Sequence, residues 1–121
     1  MVIGHNSLGF TFGGFAQASW AGNDYATEAE WDFLFRLGPG AGPVAYRPTG
    51  VGTHYQHRGP EDWPHWGYLP ADLWFGGSGA LGQRYASCNQ GHTFAGEPND
   101  ACGGNGNWGA TEMEVWYRVG S

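Results

Sequence analysis

The chain contains no lysine, and its five basic residues, all arginines, face eleven carboxylates, for a formal net charge of −6. Binding to nucleic acids and to anionic lipid surfaces depends on clustered cations that replace counterions. The arginines here are instead scattered along the chain, at Arg36, Arg47, Arg58, Arg84 and Arg118. We therefore expect no nucleic-acid partner.

Long apolar runs are also missing, since no segment approaches the roughly 18 apolar residues that a membrane-spanning helix needs. Residues 1–8 lack the basic and apolar regions of a signal peptide. These absences predict no membrane insertion, and a cytoplasmic location if Met1 is the true start.

Cysteine is scarce, with only Cys88 and Cys102 present. They do not form a C-x-x-C motif, so thioredoxin-like redox chemistry has no support. The sequence leaves open a loop-closing disulfide or two free thiols. A disulfide would indicate an extracellular or otherwise oxidising setting.

Glycine and aromatic residues are abundant: the 121 residues include 23 Gly and 7 Trp, and 17% are aromatic, whereas only 13% are charged. Aromatic side chains supply the buried area that offsets chain entropy, which favours a folded domain over a disordered chain. The length fits one domain over residues 1–121.

Apolar and polar residues alternate with the period of a β-strand in several segments. The clearest are Trp31 to Leu37 and Glu112 to Val119, with shorter strands predicted over Phe10 to Phe15, Val44 to Arg47 and Leu73 to Phe75. Within residues 82–109, Arg84 to Ser87 and His92 to Ala95 are further candidates, and only Asp24 to Glu30 favours a short helical turn. The pattern predicts an all-β domain, a β-sandwich of antiparallel strands with long Gly-rich loops and little helix.

Catalytic and metal-binding signatures are weak. His54 and His57 could approach one metal ion in a turn, with His65 or Asp62 as a third ligand, but no H-E-x-x-H or Cys/His framework is present. No nucleophile elbow or phosphate-binding loop occurs. We therefore predict no catalytic residues, no metal and no cofactor.

Tryptophan exceeds what one core of this size conveniently buries, so some indoles should be exposed, where they could stack against a ligand or a neighbouring subunit. The candidate binding residues are Trp63, His65, Trp66, Trp74, Trp108, Trp116, Glu112 and Glu114. Stacking on sugar rings would make the chain a lectin-like, carbohydrate-binding domain, and packing between identical subunits would make it a self-assembling component of a multimer or fibre. The sequence leaves equally open that most indoles pack inside, with the indole nitrogen bonded to a loop carbonyl.

Several short motifs occur in a familiar order: Phe12-Gly13-Gly14-Phe15, Ser19-Trp20, Phe33-Leu34-Phe35, Gly59-Pro60, Trp66-Gly67, Asp72-Leu73 and Glu112-Met113-Glu114-Val115-Trp116. In this order the chain resembles the TLDc domain family over about residues 2–119. It is similar to the family's C-terminal β-rich portion and lacks a counterpart to its N-terminal helical part.

The resemblance implies a β-sandwich that acts as a non-catalytic protein-interaction or structural module. The family is linked to protection against oxidative stress and to binding of a proton pump. Its closing-strand carboxylates would correspond to Glu112 and Glu114, for which a solvated strand face is the simpler interpretation.

Overall fold

Two antiparallel β-sheets make up the described part of the chain. The computed structural model describes residues 1–6, 9–17, 25–26, 31–40, 42–49, 56–57, 65–67, 71–75, 86–88, 94–96, 101–102, 107–108, 110–117 and 119. These residues contain strands and no helix, which confirms the all-β class.

The strands are short, as expected for a chain so rich in glycine. In chain order they are β1 (Val2–Asn6), β2 (Thr11–Phe15), β3 (Tyr25–Ala26), β4 (Phe33–Gly38), β5 (Val44–Tyr46), β6 (Gln56–His57), β7 (His65–Gly67), β8 (Ala71–Trp74), β9 (Ala86–Cys88), β10 (Asn107–Trp108) and β11 (Ala110–Val115). The first sheet has the order β11-β1-β2-β4-β5, and the second has the order β10-β9-β8-β7-β6-β3. The first strand in the chain therefore pairs with the last.

The strongest sequence alternations correspond to observed strands, with shifted ends. The segment predicted from Trp31 begins at Phe33, because Trp31 lies in a turn, and the closing strand ends at Val115 rather than Val119. The helical turn predicted over residues 24–30 is wrong at Tyr25 and Ala26, which pair with β6, and its other residues lie outside the described ones. Strand β1 was not predicted, since Val2 to Asn6 shows no clean alternation of apolar and polar residues.

The core lies between the two sheets and is built from aromatic and aliphatic side chains of both. The first sheet contributes Phe12, Leu34 and Tyr46, and the second contributes Trp66 and Leu73. The largest fully buried side chain is that of Trp66. Its indole Nε1 donates a hydrogen bond to the carbonyl oxygen of Phe15 at 3.2 Å, so the core indole is tied to a strand of the opposite sheet.

The close approach of Trp66 depends on a glycine in β2. A Cβ atom at Gly14 would lie 2.6 Å from the Cε2 and Cζ2 atoms of the Trp66 ring. Such a distance is below any normal carbon contact, so a side chain at position 14 would force the sheets apart.

A buried aspartate connects the second sheet to a loop. Asp72 is fully buried, and its Oδ2 accepts a hydrogen bond from the backbone N–H of Phe94 at 3.0 Å. Gly67 has a φ of 82° and lies directly against the Asp72 carboxylate, which favours glycine there for both conformation and space. Because the N–H of Ala95 also donates to the carbonyl of Arg47 at 2.8 Å, residues 94–95 link both sheets.

A buried asparagine at the end of β1 links the first sheet to residues 101–102. The Asn6 Nδ2 donates to the carbonyl oxygen of Cys102 at 2.9 Å, and its Oδ1 accepts from the N–H of Phe10 at 3.0 Å. Cys102 is fully buried and disulfide-bonded. Since Cys88 is the other cysteine of the chain, the disulfide alternative is the one that the structure contains.

We predict that Gly14→Ala lowers the free energy of unfolding by about 2 kcal/mol, because the new methyl group overlaps the Trp66 ring. The matched control is Gly38→Ala, since a Cβ atom there meets nothing within 4 Å. Urea unfolding followed by tryptophan fluorescence measures both. Equal stability of the two variants would contradict the packing of Trp66 on β2.

We predict that reduction of the disulfide lowers the free energy of unfolding by about 3 kcal/mol, the entropic effect expected for a closed loop of about 15 residues. Urea unfolding with and without a phosphine reductant measures the change. A thiol titration of the unreduced, denatured chain should find no free thiol, and two reactive thiols would show that the bond is absent.

Candidate functional site

The outer face of the first sheet, turned away from the core, presents an unusual row of cross-strand neighbours. Strand register places Glu114, Ile3, Gly13, Phe35 and Ala45 side by side across the five strands. Successive residues of a strand point to opposite faces, so these residues share the face opposite Val2, Gly14 and Leu34. We call this surface the outer face.

Gly13 forms the floor of the outer face. A Cβ atom there would lie 2.8 Å from Cζ of Phe35 and would also collide with the carbonyl of Val2. The Phe35 ring therefore lies directly over the backbone of β2, and Phe35 is only 6% exposed.

An aromatic group extends from this floor towards one end of the strands. The rings of Phe15 and Phe33 stack with centroids 5.4 Å apart, and those of Phe33 and Phe35 are 6.1 Å apart in a tilted arrangement. The guanidinium carbon of Arg47 lies 5.0 Å from the Phe33 ring centroid, within the range of a cation–π contact. This end of the outer face is thus apolar with one positive charge at its rim.

A depression of about 420 Å³ lies in the outer face. The residues lining it are all apolar: Met1, Ile3, Phe33, Phe35, Leu37, Pro43, Val44 and Ala45. Met1 and Leu37 are 39% and 47% exposed, so this apolar surface reaches solvent. A volume of this size falls within the range of about 300–1,000 Å³ that is typical of binding pockets.

The side of the outer face along β11 is polar. Trp116, which is 57% exposed, donates from Nε1 to Oε2 of Glu114 at 3.0 Å. The Oε1 of Glu114 lies 3.8 Å from Nε2 of His5, and Nδ1 of His5 lies 3.0 Å from the Thr11 hydroxyl. Glu112 is opposite His5 in the register and is exposed. Its carboxylate has no hydrogen-bond or ion-pair partner among the described residues.

Thr11, His5 and Glu114 place a hydroxyl, an imidazole and a carboxylate next to one another in that order. A nucleophilic catalytic site uses the same three groups. The 3.8 Å between His5 and Glu114 exceeds hydrogen-bond distance. Thr11 lies in a strand flanked on both sides by β1 and β4, whose ladders occupy the backbone N–H groups that an oxyanion would need. The arrangement therefore fits a cross-strand polar contact better than acyl transfer.

The structure divides the binding residues predicted from sequence among several places. Glu112, Glu114 and Trp116 lie together on and beside β11, as described above. Trp66 is fully buried with its indole bonded to a backbone carbonyl, so its ring is unavailable to a partner, and the core alternative holds for it. His65 and Trp74 are paired on β7 and β8 of the second sheet, with ring centroids 6.0 Å apart. Trp108 belongs to β10, and Trp63 lies outside the described residues.

Sequence reasoning missed most of the outer face. Ile3, His5, Phe15, Phe33 and Phe35 are not among the binding residues that the sequence predicts, although the three phenylalanines belong to the motifs that carry the family resemblance. One signal was available in the sequence. Leu34 is apolar, as are Phe33 and Phe35, so both sides of this strand are apolar, whereas packing against a single core requires only one apolar side.

The described residues contain no metal-binding cluster and no membrane-spanning helix. Within the described ranges no three His, Cys, Asp or Glu side chains converge in a way that could hold a metal ion. His57 belongs to β6, whereas His54 and Asp62 lie outside the described residues. No helix long and apolar enough to cross a bilayer occurs in the described part of the chain.

No protein-family model and no curated protein matches the chain.

Asp32, which lies directly before β4 in the chain, is a fully buried carboxylate. Its Oδ1 accepts a hydrogen bond from the Gln17 N–H at 2.6 Å, and its Oδ2 has no partner among the described residues. Burial raises the pKa of Asp32 to about 6, and the Gln17 hydrogen bond and the Met1 ammonium partly oppose this rise. Burial likewise lowers the pKa of the Met1 amine, against the attraction of Asp32. That amine donates to the carbonyl of Trp116 at 2.8 Å, which ties it to the end of the closing strand.

We predict that Asp32 makes the folded state less stable as pH rises from about 4 to about 6. The folded pKa of about 6 lies above the ordinary value of 3.8, so the folded state binds this proton more tightly than the unfolded state does. The free energy of unfolding should fall over this window by about 2 to 3 kcal/mol more in the wild type than in Asp32→Asn. Urea unfolding at successive pH values measures the difference, and identical pH profiles would contradict it.

Proposed function

We propose that this chain is a non-catalytic protein-interaction module, as its resemblance to TLDc domains implies, and that the outer face binds the partner. The observation that carries the proposal is the depression of about 420 Å³, lined only by apolar residues, in the open face of a sheet. Contiguous apolar surface that reaches solvent is costly in water and typically marks an interaction site.

The shape of the outer face supports a protein partner. The depression lies in a sheet whose ladders hold its floor in place, so a partner would meet a largely preformed surface. The exposed Trp116, whose backbone N–H donates to the carbonyl of Met1 at 2.7 Å, has the character of an interface residue, since interfaces are enriched in Trp and Tyr. Polar groups along β11 provide the rim that interfaces usually have around an apolar centre.

The resemblance supports the same location. Two of the motifs on which it rests, residues 12–15 and 33–35, lie on the neighbouring strands β2 and β4. They supply Gly13, Phe15, Phe33 and Phe35 to the outer face. Another of these motifs, residues 112–116, supplies Glu112, Glu114 and Trp116 to the polar rim.

Self-assembly is a second hypothesis, favoured by the same exposed apolar surface. Pairing of two β11 edges would bring the carboxylates of Glu112 and Glu114 from both copies together, which opposes an edge-to-edge fibre. Self-assembly would instead bring two outer faces together, and the oligomeric state tests it. Carbohydrate binding by exposed tryptophan is a third hypothesis, which a glycan array would test.

The proposal predicts that Leu37→Asp abolishes partner binding, since it places a charge in the depression at a residue that is already 47% exposed. The matched control is Val119→Asp, which introduces the same charge at an 83% exposed apolar residue outside the depression. Affinity capture from a lysate of the source organism, quantified by mass spectrometry, compares the two variants with the wild type. Proteins captured by the wild type and the control should be lost with Leu37→Asp.

Two outcomes would contradict the proposal. Equal capture by both variants would remove the outer face as the binding surface. Light scattering measures the molecular mass of each variant. A dimer for the wild type and a monomer for Leu37→Asp would show that the outer face binds a second copy of the chain and not another protein.

A further inference from the structure

We propose that the outer face selects a protein segment that combines aliphatic side chains with lysine or arginine. This inference rests on the proposed function and adds the chemistry of the partner. It is carried by Glu114, which lies in the same cross-strand row as the depression residues Ile3, Phe35 and Ala45. Glu112 lies two residues away on the same face of β11.

The first step is the juxtaposition of acid and apolar surface. Glu114 is the direct cross-strand neighbour of Ile3, which lines the depression, and Glu112 is the neighbour of His5 on the same strand. Cross-strand neighbours have Cβ atoms about 4.5–5.5 Å apart. A ligand seated in the depression therefore has a carboxylate within reach of its next side chain.

The second step is that this negative charge is available. Glu112 is exposed and has no hydrogen-bond or ion-pair partner among the described residues. Glu114 accepts from the neutral indole of Trp116, and its nearest nitrogen cation, when protonated, is His5 at 3.8 Å. Neither carboxylate is paired with an arginine in the described part of the chain. A cation from a partner would therefore meet the exposed Glu112 carboxylate and a Glu114 carboxylate whose ion-pair neighbour among the described residues is an imidazole.

The third step gives the segment a direction. The row from Glu114 to Ala45 crosses four interstrand spacings, or about 19 Å. Arg47 lies beside Phe33 at the opposite side of the face. Positive residues of the partner should thus lie along β11 and its apolar residues over the depression, while any acidic residue would be favoured near Arg47.

Other occupants fit this charge pattern less well. A second copy of the chain would bring eleven carboxylates and only five arginines, without any lysine. Nucleic acids and anionic lipids would be repelled by Glu112 and Glu114. A basic, aliphatic protein segment is the occupant that complements both halves of the surface.

The test is selection of random twelve-residue peptides displayed on phage against the immobilised full chain. Enriched peptides should contain leucine, isoleucine or valine together with lysine or arginine. Their synthetic forms are then measured by fluorescence anisotropy, and the dissociation constant should rise steeply with salt.

Matched variants locate the binding. Replacing both carboxylates, Glu112→Gln with Glu114→Gln, should weaken binding about tenfold, as expected for two exposed ion pairs. The control, Glu112→Asp with Glu114→Asp, keeps both charges at the same positions and should change binding less than about twofold. A charge reversal, Glu112→Lys with Glu114→Lys, should instead enrich acidic peptides, which a misfolded variant would not do.

The outcomes separate this inference from the function on which it rests. Peptides that lose binding with Leu37→Ser but not with the Glu112 and Glu114 variants would overturn the basic partner and keep the outer face as the interaction surface. Peptides indifferent to all of these variants, or no enriched peptide at all, would overturn both.

Discussion

The contact between the Trp66 indole and the backbone of β2 at Gly14 is the constraint on which the rest of the structure depends. It sets how closely the two sheets approach, and the indole hydrogen bond to Phe15 holds β2 in that position. The adjacent glycine acts on the opposite side, since Gly13 gives room to the ring of Phe35. Two consecutive glycines thus serve two faces of one strand, one for a core indole and the other for the floor of the outer face.

Long-range polar contacts hold loops to this two-sheet core where the short strands alone would be weak. Asp72 binds the backbone of Phe94, Asn6 binds that of Cys102, and Cys102 is disulfide-bonded. Each buried side chain satisfies backbone groups that would otherwise be desolvated at a cost of about 1–3 kcal/mol. Asp32 differs, because one of its oxygens has no partner among the described residues, and its raised pKa reflects that environment.

The chemistry of the outer face follows from the pairing of the first strand with the last. Without the contact between β1 and β11, Glu112 and Glu114 would lie far from Ile3 and His5. The pairing puts Glu114 beside Ile3 of the apolar depression and Glu112 on the same face, and the proposed interaction role rests on this combination. The buried position of Trp66 removes one of the indoles that suggested glycan stacking.

The sequence by itself determined the all-β class and the position of several strands, because alternation along residues 33–37 and 112–115 reports local backbone period directly. The assignment of Glu112, Glu114 and Trp116 as binding residues stays a prediction from the sequence. Only the tertiary structure decided which side of β4 faces the core, since Leu34 and Phe35 are both apolar and alternation gives a period without a direction. The burial of Trp66 and the presence of β1 were likewise decided by contacts with residues about 50 and 110 positions away, on β2 and β11, which no local pattern encodes.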